Sequence, residues 1–333
     1  MTVEVTRGDL VESLHRVDAC AVDVRGRVRF VRGDVDRPVY LRSSAKPFIA
    51  GAVVAGGAVE RFGFEQREVA VMSASHYGEP FHVAAVRSIL SKIGLDESAL
   101  QCGPQMPYDE ASARAMIRGD IEPTAIYNNC SGKHAGILAL SLMLEADVTS
   151  YLDVDHPAQQ RILEFCARVH DDDAATWPLG VDGCGIPVYA TSLRRAALAF
   201  ARLADPSSYE HAADARALHV VASAMRTFPE YVAGTNQLDT VLMQASDNVV
   251  CKTGAEGVHG VGVVDKGYGY ASKVIDGNGR ARAPGTIAAL RALGAIDADA
   301  FARLERLAQP PVRNWAGHSV GEIRATDFSD GTR

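Results

Sequence analysis

Apolar residues recur along this chain with two different periods. Around the turn Arg25-Gly26, the β-branched runs Val17 to Val24 and Val28 to Val31 predict a hairpin. Near the other end, Asn248 to Cys251, Gly260 to Val264 and Tyr270 to Val274 predict successive strands, punctuated by glycines and by the turn Asp276-Gly277-Asn278-Gly279. Between these ends the apolar positions fall three to four apart, which predicts helices over Lys133 to Glu145, Pro157 to His170, Tyr189 to Ala204 and His211 to Arg226. An early helix is expected after Ser43 and a late one from Gly285 to Leu293, while Val69-Ala70-Val71-Met72 has the look of a short strand. The predicted fold class is α/β of the α+β kind, with one antiparallel sheet built from both chain ends, flanking helices and a helical lobe in between. With no internal repeat or linker, residues 1–333 are expected to form a single domain. Its sheet lobe would take about residues 1–75 with 235–333 and its helical lobe about 76–234, and a cleft between lobes is the default place for a site.

Composition narrows the partners. At 333 residues, 47% hydrophobic and 23% charged, the chain has the make-up of a globular enzyme. Its net charge of -7 and lack of any basic run leave nothing to meet a phosphate backbone, so nucleic acid is not an expected partner. Met1 to Ser13 lacks the charged-then-apolar layout of a secretion signal, which makes the cytoplasm the expected location. The small apolar stretch Ile49 to Val59 is too short to cross a bilayer, so no membrane association is expected. Cysteines stand at 20, 102, 130, 166, 184 and 251, and in a reducing compartment metal binding or burial is expected of them before a disulfide framework.

Lysine is scarce. Of 34 Lys plus Arg only six are lysine, at 46, 92, 133, 252, 266 and 273. An arginine cannot act as a base, so the lysines that remain are enriched for places that need an amine. Arg42-Ser43-Ser44-Ala45-Lys46-Pro47 holds the only serine three residues before a lysine. A serine hydroxyl needs a neighbour to take its proton, and a neutral lysine amine can do so. The plainer reading is a helix start with Ser43 or Ser44 as its cap. Against that reading stands Lys252-Thr253-Gly254, which follows the apolar run Val249-Val250-Cys251. Acyl-transfer enzymes of the serine β-lactamase and penicillin-binding type set SxxK on a helix beside KTG on a strand.

Two further stretches concentrate chemistry. Ser73-Ala74-Ser75-His76-Tyr77-Gly78-Glu79-Pro80 is a polar loop before a helix, a common active-site context, although alone it reads as a turn with a cap. Tyr127 to Gly136 places two amides, a thiol, a lysine and a histidine at a helix start, and a second thiol, Cys184, lies in Val181 to Pro187. Cys130 and Cys184 could share a metal, being half of the usual tetrahedral set, or be two buried or redox-labile thiols.

Taken together, Arg42 to Pro47, Ser73 to Pro80, Cys102-Gly103-Pro104 through Tyr108, Asn128 to Gly136, Asp155-His156-Pro157, Asp182 to Pro187 and Lys252 to Gly257 resemble the L-asparaginase II family, the rhizobial-type or class 3 L-asparaginases. The resemblance runs from about residue 5 to residue 325. It implies a serine β-lactamase-like fold shared with glutaminases, and hydrolysis of L-asparagine to L-aspartate and ammonia. It implies catalytic Ser43 with Lys46 and Ser75 with Lys252, substrate contacts at Arg42, His76, Asn128, Lys133 and Asp182, and a zinc site at Cys130, Lys133 and Cys184. The metal is expected to aid substrate binding more than bond cleavage, and the assembly to be a homodimer.

Three rivals remain at this stage. A β-lactam-binding or transpeptidase-like enzyme would use the same SxxK and KTG pair but act outside the cytoplasmic membrane. A glutaminase cleaves the same bond in a substrate one methylene longer, a difference worth only about 1–3 kcal/mol in a pocket. A non-catalytic amino-acid or zinc-binding protein would have no need for the four serines and lysines.

Overall fold

The computed structural model describes residues 1–326; residues 327–333 of the expected single domain lie outside the described residues. In chain order come β1 (Thr2–Arg7), β2 (Leu10–Asp23), β3 (Val28–Arg32) and β4 (Pro38–Tyr40). A 3-10 turn over Arg42–Ala45 feeds α1 (Lys46–Ala55), α2 (Ala58–Phe62), α3 (Gln66–Met72) and α4 (Pro80–Lys92). There follow α5 (Glu110–Arg118), α6 (Ser131–Met143), α7 (Pro157–His170), β5 (Leu179–Val181) and β6 (Pro187–Ser192). Next are α8 (Leu193–Ala204), α9 (Ala212–Thr227), α10 (Pro229–Val232) and α11 (Leu238–Ala245). The last part holds β7 (Val249–Gly254), β8 (Val258–Val263), β9 (Tyr268–Val274), α12 (Arg282–Ala292), α13 (Ala298–Ala308), β10 (Pro311–Arg313) and β11 (Ser319–Thr326).

These elements sort into two compact units. One takes Met1–Ser44, Thr191–Asp205 and the chain from Val241 onward; the other takes Ala45–Ala190 and Pro206–Thr240. The division therefore falls at Ser44 and Ala45, where the sequence suggested about residue 75. The reason is α1: it is buried at nine positions from Lys46 to Val54 and packs on α6, α7 and α9. A helix apolar on all sides needs neighbours all round, and the helical unit supplies them.

The sheet unit bears out the expected use of both chain ends. Its strand order is β10-β11-β1-β2-β9-β8-β7, with β3 also paired to β2, and the pairings are antiparallel. The long strand β2 serves two partners in turn: residues 10–16 pair with β1, and Val17 to Asp23 with β9. Helix α8 lies on this sheet, capped by Ser192, whose Oγ accepts from Arg195 N. Three glycines make the close approach possible. A methyl on Gly260 would lie 1.8 Å from the Phe200 ring, one on Gly262 2.4 Å from Phe200 O, and one on Gly269 2.0 Å from Ala197 O.

Two sequence expectations are corrected. Val69 to Met72 is helical, as part of α3, because a reciprocal capping box joins Glu65 and Glu68 just ahead of it. A short buried apolar run does not distinguish strand from helix, and here the cap decides. The helix expected over Tyr189 to Ala204 begins only at Leu193; Tyr189 to Ser192 belong to β6, which pairs with β5. Strands β1, β10 and β11 were not anticipated.

Candidate active site

In the sheet unit, the turn carrying Ser43 sits against the Lys252-Thr253-Gly254 strand end. Ser44 closes the turn, since both its backbone N–H and its Oγ donate to Leu41 O, at 3.1 and 2.6 Å. Ser44 is buried while Ser43 is only partly so, which leaves Ser43 as the serine available for chemistry. Arg42 adopts φ 51°, a left-handed conformation unusual for a side-chain-bearing residue. A methyl on Gly254 would stand 2.5 Å from Leu41 O and 3.2 Å from Ser44 N, so only glycine lets β7 end there. Lys252 is fully buried on β7, and its Nζ donates to Thr253 O at 3.0 Å and Thr253 Oγ1 at 3.2 Å.

In the helical unit, Lys46 opens α1 and is buried. Its Nζ donates to Ala74 O at 2.6 Å, to Ser75 Oγ at 3.1 Å and to Asn129 O at 3.4 Å. The observed contact therefore joins a lysine of one expected tandem to the serine of the other. Ser75 follows the end of α3, and its N–H donates to Val232 O at 3.0 Å. Glu79 accepts from Thr235 N and Oγ1 at 2.8 and 2.7 Å, which ties the far end of the same loop.

Two residues expected to touch substrate make hydrogen bonds that hold the loops together. His76 is buried, accepts from Gly78 N at 3.2 Å through Nδ1, and meets Ser131 Oγ at 2.8 Å through Nε2. Asn128 donates through Nδ2 to Cys102 O at 2.9 Å and Gly103 O at 3.1 Å, and its Oδ1 accepts from Cys130 N at 2.9 Å. Both ring nitrogens of one and both ends of the amide of the other are thus used by the protein.

Cys130, Lys133 and Cys184 lie together. Cys130 caps α6, Lys133 lies within its first turn, and Lys133 Nζ is 2.9 Å from Cys184 Sγ. Gly132 allows this placement, because a methyl there would lie 2.2 Å from Val71 O on α3. The hydrogen bond from Cys184, working against burial and aided by the Lys133 charge, holds the Cys130 thiol well below its usual pKa. Cys184 is pushed up, first by that hydrogen bond to Cys130 and then by burial. Burial alone would lower Lys133, but Cys130, Cys184 and Asp182 together raise it. The site thus favours the ionised form at Cys130 and the protonated forms at Cys184 and Lys133, with Asp182 near enough to act on it. Cysteine sulfur is a principal zinc donor and the Lys133 nitrogen, once deprotonated, would add a third, so the residues fit that metal.

The chain matches the L-asparaginase II family over residues 3–325. It belongs to that family. No curated protein matches the chain. Among solved structures it is similar to Mglu in its native form in the presence of 4.3 M NaCl, at 16% identity, TM-score 0.42, covering 80% of this chain and 58% of Mglu. A β-lactamase from Mycobacterium bovis aligns at 17% identity and TM-score 0.41, over 79% of this chain and 88% of its own. The chain thus spans less than two thirds of Mglu. Among the described residues no helix is long and apolar enough to cross a membrane.

Within this family member, the sequence reading missed Ser131, Asn129 and Gln105. Ser131 receives His76 and donates to Ile126 O at 2.8 Å. Asn129 offers its carbonyl to Lys46 and His76 and its N–H to Gln105 Oε1 at 3.4 Å. Gln105 Nε2 is buried with no hydrogen-bond partner among the described residues. A polar residue beside a motif lysine was the available signal for the first two, and nothing in the local sequence marks the third.

Proposed function

We propose that the protein hydrolyses L-asparagine to L-aspartate and ammonia, with the hydroxyl of Ser75 and the amine of Lys46 forming its proton-transfer pair. The observation that supports this is the placement of Lys46 Nζ 3.1 Å from Ser75 Oγ, with Ala74 O at 2.6 Å and Asn129 O at 3.4 Å also within its reach. In the neutral amine the N–H bonds can point at carbonyls while the lone pair faces the Ser75 proton. A pair already at hydrogen-bond distance transfers its proton with little rearrangement, which is the form of preorganisation that lowers a barrier.

The chemistry follows. A serine oxygen attacks the side-chain carboxamide carbon as its proton passes to lysine, and the C–N bond breaks as nitrogen takes that proton and leaves as ammonia. Water then attacks the acyl-serine ester, giving its proton to the amine, and the serine oxygen recovers it as aspartate departs. Ser43 and Lys252, on adjacent segments of the sheet unit, are the further hydroxyl and amine that we propose for the catalytic set. Arg42, Lys133 and Asp182 are the proposed substrate contacts. His76 and Asn128 act through the loops they hold.

Cys130, Lys133 and Cys184 would hold zinc, which when bound offers a positive centre for the substrate. Residues 1–333 would act as one catalytic domain, as a cytoplasmic homodimer. The test is ammonia release by the pure protein from L-asparagine and L-glutamine, with mass spectrometry of the quenched reaction to find which serine carries the acyl group. Turnover of glutamine above that of asparagine, or none of either, would overturn the reading.

A further inference from the structure

His76 follows Ser75 directly, and its hydrogen bonds run in one direction. Gly78 N–H donates to Nδ1, so the ring proton sits on Nε2, which donates to Ser131 Oγ; Ser131 donates in turn to Ile126 O. The ring of His82 stacks on it, with centroids 5.2 Å apart and planes 20° from parallel. Burial first, then the charges of His82 and Lys46, hold His76 well below its usual pKa, which keeps it in the neutral form this chain of bonds requires.

A second strand of bonds lies beside the first. Asn129 O accepts from His76 N–H at 3.1 Å and from Lys46 Nζ at 3.4 Å. The three residues Asn129 to Ser131 therefore hold the backbone next to Ser75, the His76 ring and the amine facing the Ser75 hydroxyl. Cys130 lies between the two anchor residues, and Lys133 lies two residues beyond them. Whatever fixes this start of α6 fixes the serine loop with it.

We infer that His76 is a positioning residue linking the Ser75–Lys46 pair to the start of α6, so that zinc at Cys130, Lys133 and Cys184 sets the placement of Ser75 through the His76–Ser131 hydrogen bond. Zinc then acts on kcat as well as on substrate binding. The inference rests on the amidase reading given above. The loop has restraints of its own, from Ser75 N to Val232 O and from Thr235 to Glu79, so losing the His76 link misplaces the loop without unfolding it.

The variants are His76→Asn, whose shorter side chain cannot reach Ser131, Ser131→Ala, Ser131→Thr and the double variant His76→Asn with Ser131→Ala. Three readouts apply to each: kcat and KM for L-asparagine with and without zinc, zinc affinity by competition with a chromophoric chelator, and imidazole 15N resonances during zinc titration. In the wild type, zinc removal should lower kcat and shift the Nε2 resonance of His76, identified by its absence in His76→Asn. His76→Asn and Ser131→Ala should each lower kcat about tenfold, as loss of a buried hydrogen bond does, with KM little changed. The double variant should be no worse than either single one, zinc should no longer change kcat, and Ser131→Thr should restore both properties. Losses that multiply in the double variant, or a zinc response that survives in the singles, would overturn the link. If the wild type hydrolyses no amide, the functional reading fails, and the link is decided by the His76 resonance alone: a shift on zinc binding upholds it and a static resonance removes it.

Discussion

The amine of Lys46 lies 3.1 Å from the hydroxyl of Ser75, although 29 residues separate the two along the chain. Lys46→Arg keeps the charge but removes the base, and Ser75→Ala removes the hydroxyl. Each should lower kcat on the order of 10²- to 10⁴-fold while the circular dichroism spectrum is retained. Wild-type turnover in either variant would take that residue out of proton transfer.

The metal site should show itself by composition and by pH. Protein purified without chelator should carry near one zinc per chain, and Cys130→Ser or Cys184→Ser should lose most of it and raise KM for asparagine. The raised Cys184 thiol and Lys133 amine both hold protons at neutral pH, whereas Cys130 is held well below its usual pKa. Zinc must displace those protons, so its affinity should fall as pH falls. Chelator competition from pH 6 to 8 checks this, and an affinity independent of pH would contradict the donor set.

Stability should decline on the acid side for a separate reason. His82 donates through Nε2 to Glu230 O at 2.9 Å in a buried site, and burial pulls its pKa from 6.5 to about 4. Above pH 6.5 neither the folded nor the unfolded chain protonates it. Between 6.5 and about 4 the unfolded chain gains a proton that the folded one refuses, so stability is lost as pH falls through that window. At about 1.4 kcal/mol for each tenfold change, the full loss is about 3 kcal/mol. Urea unfolding at pH 7 and pH 5 should show the drop, and His82→Gln should make it shallower; an identical slope in that variant would exclude His82 as its source.

Glycine positions give the sharpest packing tests. Gly132→Ala would place a methyl 2.2 Å from Val71 O, and Gly254→Ala would place one 2.5 Å from Leu41 O. Both neighbours are backbone and cannot swing aside, so each change should cost about 1–3 kcal/mol in chemical denaturation. Gly132→Ala should also weaken zinc binding, since it moves the start of α6. Gly254→Ala should leave zinc binding unchanged and lower kcat through the Ser43 turn.

The lysine count carried more than secondary-structure periodicity did. Lys46, Lys133 and Lys252, the three inside the motifs, are buried, whereas Lys266 is exposed and Lys92 and Lys273 are partly so. Strands with β-branched runs, such as β2 and β7 to β9, were readable because their side chains are buried on the sheet. Strand β11 was not: Ser319–Thr326 is mostly polar and only partly buried, and its partner β1 lies at the other end of the chain. The Lys46 to Ser75 contact was equally hidden. Spacing of three predicts neighbours on one helix turn, but Ser43 sits on a 3-10 turn in one unit while Lys46 begins a helix in the other. The binding roles expected of His76 and Asn128 came from the family resemblance. Their hydrogen-bond partners lie in other segments, where local sequence does not show them.

Pairing of β1 with β11 has a consequence for synthesis. Thr326 Oγ1 donates to Thr2 O across 324 residues, so β1, paired early with β2, finds its second neighbour only after nearly all of the described residues have been made. Until Ser319–Thr326 is made, β1 exposes an unsatisfied edge, and closing so long a loop costs entropy before any contact repays it. The sheet therefore completes late in synthesis, with the helical unit, whose longest uninterrupted stretch is Ala45–Ala190, free to form earlier on the ribosome.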